Sequence, residues 1–343
     1  IHSDSLKVEW RSLEKAHKPR LVSGSPFHKS IAGRMLFGSF NEFLCDTTIT
    51  NETMVGFDPY QGANQFAEVL KQFGTSIPNG ACADYKGFDS DHTPFFIRDL
   101  CGSIINKWYD DGPNNARARL AYLETTCSSY HIRGPILERW SGSMPSGDYL
   151  TTPLNCLINK ILVRFAWWNV NGRIPSSIPL FRKYVSFLDL GDDNCFTVDP
   201  AYAPIFHEAS LRDSVSLLGY HITAADKESE MTDQLKPLEE VEMLKRTLRY
   251  EPVLGRYVLM LRLKVILQMP LRTKRDKEWE VSSQNLENAL SELSLHPQST
   301  WDEWAPKMIE YFRGYYTPQS SSRRYYMDRC LSEGFFRAES IDE

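Results

Sequence analysis

Two short apolar runs, residues 184–190 and 195–198, flank the tetrapeptide Gly191-Asp192-Asp193-Asn194. This pattern predicts a β-hairpin whose tip carries two adjacent carboxylates. A third run, residues 80–84, is apolar up to its last member, Asp84, and predicts a buried strand ending in an acid. Few folds bring acids this far apart in sequence to one sheet edge, so the pair constrains the chain more than any other feature. Taken singly, Gly-Asp-Asp-Asn is also good turn chemistry, and a lone Asp84 suits a cap or a turn. Taken together, close carboxylates repel and raise one another's pKa unless a cation compensates. Mg²⁺ favours a few carboxylates, several waters and a substrate phosphate, and two such ions serve phosphoryl transfer.

The remaining pattern alternates strands and helices. Helical spacing marks residues 30–43, 64–73, 93–108 and 114–127, the last after the breaker Asp110-Asp111-Gly112-Pro113. A long apolar run ends near Trp168, residues 203–218 read as a helix, and a strand is expected near 220–223. Beyond Arg249 the pattern reads as mostly helical, with helices over 283–295 and 300–315, the second opened by Thr300 and Glu303 as a capping box. The fold class expected is α+β with a helical C-terminal part.

Composition narrows the function. With 42% hydrophobic and 24% charged residues the chain is too apolar to be disordered. The greasiest stretch, residues 258–269, is interrupted by Arg262 and Lys264, which argues against a membrane span. The net charge is −5, which argues against a generic basic nucleic-acid binder. The charge is segregated, however: residues 245–275 hold nine Lys or Arg against the single acid Glu251. An acidic protein can still own a basic track for a polyanion. The seven cysteines are scattered without zinc or disulfide spacing, which predicts reduced thiols and a cytosolic setting. A first residue of Ile suggests a fragment or a processed product.

Three further segments carry chemistry. The loop Ser141-Gly142-Ser143-Met144-Pro145-Ser146-Gly147 precedes Thr151 and Asn155, which lie four apart and share one helical face. That face can offer hydroxyl and amide groups to a sugar, or the segment is simply a loop with a helix N-cap; no Gly-x-Ser-x-Gly frames Ser143 or Ser146, which argues against a serine hydrolase. Lys7, Arg11, Lys15, Lys18 and Arg20 lie on a segment that by itself reads as an exposed amphipathic stretch, or as a basic ribbon around a triphosphate. Ala225-Asp226-Lys227 follows an expected strand, where a lysine of tuned pKa could protonate a leaving pyrophosphate, although a lone Lys is far more often a surface residue.

In this order the segments resemble the RNA-dependent RNA polymerases of positive-strand, picorna-like viruses. Asp84 to Asp89 is similar to motif A, and Ser146-Gly147 with Thr151 and Asn155 to motif B. Leu190-Gly191-Asp192-Asp193 is similar to the Gly-Asp-Asp of motif C, Ala225-Asp226-Lys227 to motif D, and Leu244-Lys245-Arg246 to motif E. The ribbon from Lys7 through Arg20 resembles motif F. Leu190 stands where Tyr is frequent in the family, Val8 where Asp is frequent, and Cys156 where Ser is common. No metal ligand or charged phosphate contact is lost by these changes.

The resemblance implies a right-hand polymerase with an antiparallel-sheet palm, partial fingers and a helical thumb. The boundaries expected are 1–28 for a fingers remnant, 29–110 and 141–247 for the palm, 111–140 for a fingers insertion and 248–343 for the thumb. With motif F so near the first residue, most of the preceding fingers are expected to be missing. It implies nucleotidyl transfer from ribonucleoside triphosphates to an RNA 3′-hydroxyl with two Mg²⁺ or Mn²⁺ ions. Asp84 and Asp192 would bind the ions, supported by Asp193. Asp89, Asn155 and Thr151 would read the ribose 2′-hydroxyl, and Ser146-Gly147 would form a mobile loop beside template and substrate. Lys7, Arg11, Lys15 and Arg20 would hold the triphosphate, Lys227 would be the general acid, and Lys245-Arg246 would grip the primer backbone. Partners implied are template and primer RNA, a protein primer and other viral replication proteins, at membrane-associated complexes in host cytoplasm. Two rivals are a reverse transcriptase, which shares the palm acids, and a non-catalytic RNA-binding protein using the basic track.

Overall fold

A computed structural model describes residues 1–7, 17, 19–224, 230–271 and 278–332. The chain divides into two compact units, one of Ile1–Phe57 with Pro78–Leu235, the other of Asp58–Ile77 with the chain from Lys236 onward. In chain order the elements are β1 (His2–Leu6), β2 (Leu21–Gly24), α1 (Phe27–Asp46), α2 (Ala63–Leu70), β3 (Gly80–Tyr85) and α3 (Phe88–Asp91). A π-helical turn, Phe95–Cys101, runs into α4 (Gly102–Tyr109), followed by α5 (Pro113–Cys127), β4 (Tyr130–Arg133), β5 (Ile136–Arg139) and α6 (Thr151–Val170). Then come α7 (Phe181–Tyr184), β6 (Val185–Leu190), β7 (Asp193–Val198), α8 (Glu208–Ser216) and β8 (Ile222–Ala224). The second unit adds β9 (Glu242–Met243), β10 (Arg246–Glu251), β11 (Arg256–Leu261), α9 (Leu263–Gln268), α10 (Glu278–Ser294), α11 (Gln298–Tyr311) and α12 (Arg323–Leu331).

The first unit is organised around an antiparallel sheet in the order β6-β7-β3-β8. All six residues of β3 are buried, and four of them are Gly, Ala, Cys and Ala, small enough for helices to pack closely. α6 buries Leu154, Ile158, Leu162, Ala166 and Trp167 in the same core as Phe187 and Phe196 of the hairpin. Together α6 and the sheet fix where the acidic strand ends lie. A second, mixed sheet, β2-β1-β4-β5, carries the first residues of the chain.

Several expectations are corrected. The helix expected from 203 begins at Glu208, because Pro204 cannot donate within a helix and His207 caps the later start. His207 Nδ1 accepts from Ser210 N (3.3 Å), and Ser210 Oγ accepts from His207 N (2.9 Å). The helix expected from Thr300 starts at Gln298 behind Pro297, with no side-chain cap. Thr300 lies inside that first turn, its N–H bonded to the Pro297 carbonyl, and Glu303 pairs with Lys307 instead of capping. The stretch after Arg249 is not helical at first. β10 and β11 form a hairpin over the turn containing Pro252 and Gly255, in the register Glu251↔Arg256. The hairpin β4–β5 is also absent from the sequence expectation. Residues 58–77 and the Lys245-Arg246 segment group with the C-terminal helices rather than with the acidic sheet.

Candidate active site

β3 and β7 pair antiparallel, with Ala83 opposite Asn194. One step further along the same register sets Asp84 beside Asp193. β6 and β7 pair to Leu190↔Asp193, so the hairpin closes in two residues, Gly191 and Asp192, with Gly191 at φ +66°. A left-handed residue suits the tight turn, and glycine takes that conformation without strain. Asp84 is 5% exposed, Asp193 is half-buried and Asp192 is exposed at the tip. The sequence expectation of acids from two distant strands at one sheet edge therefore holds. Among the described residues, however, no three His, Cys, Asp or Glu side chains are gathered as a closed metal cage. Asp84, Asp192 and Asp193 instead form an open edge of hard carboxylate oxygens. That donor set fits Mg²⁺, which retains water and takes substrate phosphate oxygens rather than a complete protein cage.

Behind this edge lies a polar relay. Asn155, 6% exposed on α6, donates from Nδ2 to Asp89 Oδ1 at 2.7 Å. Its Oδ1 accepts from His92 Nε2 at 3.0 Å, and His92 Nδ1 accepts from the Tyr220 hydroxyl at 3.0 Å. Burial drives the His92 pKa down to about 4, so the ring is neutral near pH 7, as this donor order requires. Burial raises the Asp89 pKa, while the hydrogen bond from Asn155 and the charge of Arg20 oppose the rise. The pairing of Asp89 with Asn155 was expected. His92 was not, because nothing local marks a histidine whose partners lie 63 and 128 residues away.

The loop before α6 is anchored on both sides. Ser146 Oγ accepts from Ser23 N at 3.2 Å, and Gly147 bridges Gly24 of β2. A β-carbon on Gly147 would lie 2.3 Å from the Ser23 carbonyl oxygen, so only glycine fits this approach. Buried Asp148 meets Lys29 at 2.7 Å and accepts from Tyr122 and Thr126. Thr151 Oγ1 donates to the Pro145 and Asp148 carbonyls, both at 2.9 Å. Its hydroxyl proton is thus committed to the loop backbone, and its oxygen keeps lone pairs that can accept.

The basic residues divide. Lys7 N donates to Arg20 O at 2.8 Å, continuing the β1–β2 pairing, and both residues are exposed. Arg11, Lys15 and Lys227 lie outside the described residues. In the second unit Lys245 is exposed, but Arg246 is not available to a primer backbone. Its guanidinium pairs with Glu292 at 2.6 Å and reaches the Tyr60 hydroxyl at 3.2 Å and the Leu259 carbonyl at 3.0 Å. The RNA-binding assignment of Arg246 is corrected to a structural one. Its position on β10, facing α10, explains the change.

The family described as viral RNA-dependent RNA polymerase matches residues 1–313. The replicase polyprotein of Acute bee paralysis virus (strain Rothamsted) is 31% identical over 315 residues, spanning 88% of this chain and 16% of the polyprotein. The replicase polyprotein of Cricket paralysis virus (isolate Teleogryllus commodus/Australia/CrPVVIC/1968) is 27% identical over 318 residues, spanning 88% of this chain and 18% of its own length. The chain thus spans less than a fifth of these curated relatives. A solved Sicinivirus 3Dpol RNA dependent RNA polymerase shares the α+β polymerase fold, with a TM-score of 0.79 at 21% identity over 96% of this chain and 67% of that one. With an acidic edge where motifs A and C meet, and a family match over most of its length, the chain belongs to the viral RNA-dependent RNA polymerases.

Proposed function

We propose that this chain carries the template-directed nucleotidyl transfer of a viral replicase: an RNA 3′-hydroxyl attacks the α-phosphate of a ribonucleoside triphosphate and pyrophosphate leaves. The observation that carries this reading is the register of β3 on β7, which sets Asp84 beside Asp193 with Asp192 at the adjoining turn. Divalent ions held there would lower the pKa of the attacking hydroxyl and neutralise charge on the phosphates. Asp84 and Asp192 would hold them, with Asp193 in support. Asp89 and Asn155, held by His92, would receive the ribose, and the anchored Ser146-Gly147 loop would position it. Lys7 and Arg20, with Arg11 and Lys15, would hold the triphosphate, Lys227 would protonate the leaving pyrophosphate, and Lys245 would meet the RNA backbone. Association with other viral replication proteins at host membranes belongs to the same reading. No helix among the described residues is long and apolar enough to cross a membrane.

Primer extension on a homopolymeric RNA template tests the proposal. Ribonucleotides should be incorporated only with Mg²⁺ or Mn²⁺, and deoxyribonucleotides far more slowly. Preference for deoxyribonucleotides would indicate the reverse-transcriptase reading. RNA binding indifferent to metal, without synthesis, would reject polymerase function.

A further inference from the structure

Asn159 is wholly buried on α6, one turn beyond Asn155. Its Nδ2 donates to the Gly191 carbonyl at 3.0 Å. Its Oδ1 accepts from the Tyr85 hydroxyl at 3.2 Å and from Asn194 Nδ2 at 3.4 Å. Each of these partners is the chain neighbour of a different acid: Tyr85 follows Asp84, Gly191 precedes Asp192, and Asn194 follows Asp193. Successive side chains of a strand point to opposite faces. Tyr85 and Asn194 therefore reach back to α6, while Asp84 and Asp193 face the other way. Gly191 is held a second time, its N–H donating to Cys156 Sγ at 3.1 Å, one helical turn before Asn159. A side chain needed only to fill this core could be apolar, since burying an amide is unfavourable unless its hydrogen bonds are made.

We infer that Asn159 is a positioning residue, a buried amide that joins the end of β3 to the Gly191–Asp192 turn from behind and so sets the spacing of the three acids. This deepens the polymerase reading and rests on it. Asn159 touches neither substrate nor ion; it acts through the backbone and side chains next to the groups that would.

Asn159→Leu removes the three hydrogen bonds with little change in volume, and Tyr85→Phe removes one while keeping the ring in place. The readouts are Mn²⁺ affinity, from the loss of the free-ion electron paramagnetic resonance signal, and the kcat and KM of single-nucleotide addition. Outer-shell partners of metal sites typically govern affinity tenfold or more, so Asn159→Leu should weaken Mn²⁺ binding about tenfold. Small misplacements of reacting groups are costly, so kcat should fall by about 10- to 100-fold, while KM for the nucleotide stays within about twofold. Tyr85→Phe should weaken Mn²⁺ binding about threefold, the effect of one hydrogen bond. If Asn159→Leu does not fold, Tyr85→Phe decides: an affinity and kcat equal to wild type would overturn the inference. It is equally overturned if folded Asn159→Leu keeps wild-type Mn²⁺ affinity and kcat. Wild-type protein that neither binds Mn²⁺ nor extends a primer would remove the polymerase reading itself, and this inference with it.

Discussion

Asn155 is aimed by groups that no substrate would touch. Tyr220 fixes His92, His92 fixes the carbonyl end of Asn155, and the amide end is thereby turned toward Asp89. A polar pair oriented this way can discriminate a hydroxyl at about the strength of one hydrogen bond. Asn155→Ala should therefore reduce the ratio of kcat/KM for ATP over dATP by about tenfold, in single-nucleotide incorporation. Unchanged discrimination would remove Asn155 from sugar recognition. The identities of Asp89 and Asn155 were legible in the sequence because both sit inside spaced motifs. His92 and Asn159 were not, because their meaning comes from partners that only the folded sheet and α6 bring near.

Strand β6 bears an unusual load three residues before Asp192. Asp189 is completely buried, and its backbone is bonded to Glu52 and Met54 of the neighbouring loop. Burial raises its pKa to about 7, tempered by the charge of Lys160, and neither carboxyl oxygen has a hydrogen-bond partner among the described residues. Glu52, whose own charge is met by Arg164 and Arg182, pushes in the same direction as burial. With the folded pKa above the unfolded one, the native state binds more protons between about pH 4 and 7, and stability falls as pH rises through that window. Asp189→Asn removes this dependence. Its melting midpoint should match wild type near pH 4 and exceed it at pH 8, by about 1 kcal/mol or more of stability. Equal midpoints at both values would show that the carboxyl does not titrate this way. At this scale the β6–β7 hairpin and β3 were readable from alternation and turn residues. The β10–β11 hairpin was not, since its basic side chains masked the strand pattern and apolar residues continue past it into α9.

At the scale of the whole molecule, the division into two units separates the chemistry proposed for each. The acids, the relay and the anchored loop all belong to the first unit. The second contributes a basic segment in which adjacent residues serve opposite ends. Arg246 stabilises its own unit through Glu292, and Lys245 faces solvent. Arg246→Ala leaves Glu292 buried without its cation and should cost about 3 kcal/mol or more, seen as a lower melting midpoint of that unit. Lys245→Ala should leave the midpoint in place and reduce the salt dependence of RNA binding by about one counterion. The reverse pattern would restore Arg246 as the RNA contact. Sequence order alone suggested that both residues bind RNA, because a motif assigns residue types to positions but cannot say which way each faces.

The central claim is that Asp84, at the end of β3, and Asp192, in the β6–β7 turn, act as one charge centre. Single-nucleotide addition by wild type, Asp84→Asn, Asp192→Asn and the double variant tests it most directly, with melting midpoints as the control for folding. Groups acting as a unit are grossly non-additive, so each single substitution should abolish most of the activity and the double should lose little more. Either single variant retaining near wild-type addition, with its fold intact, would contradict the account.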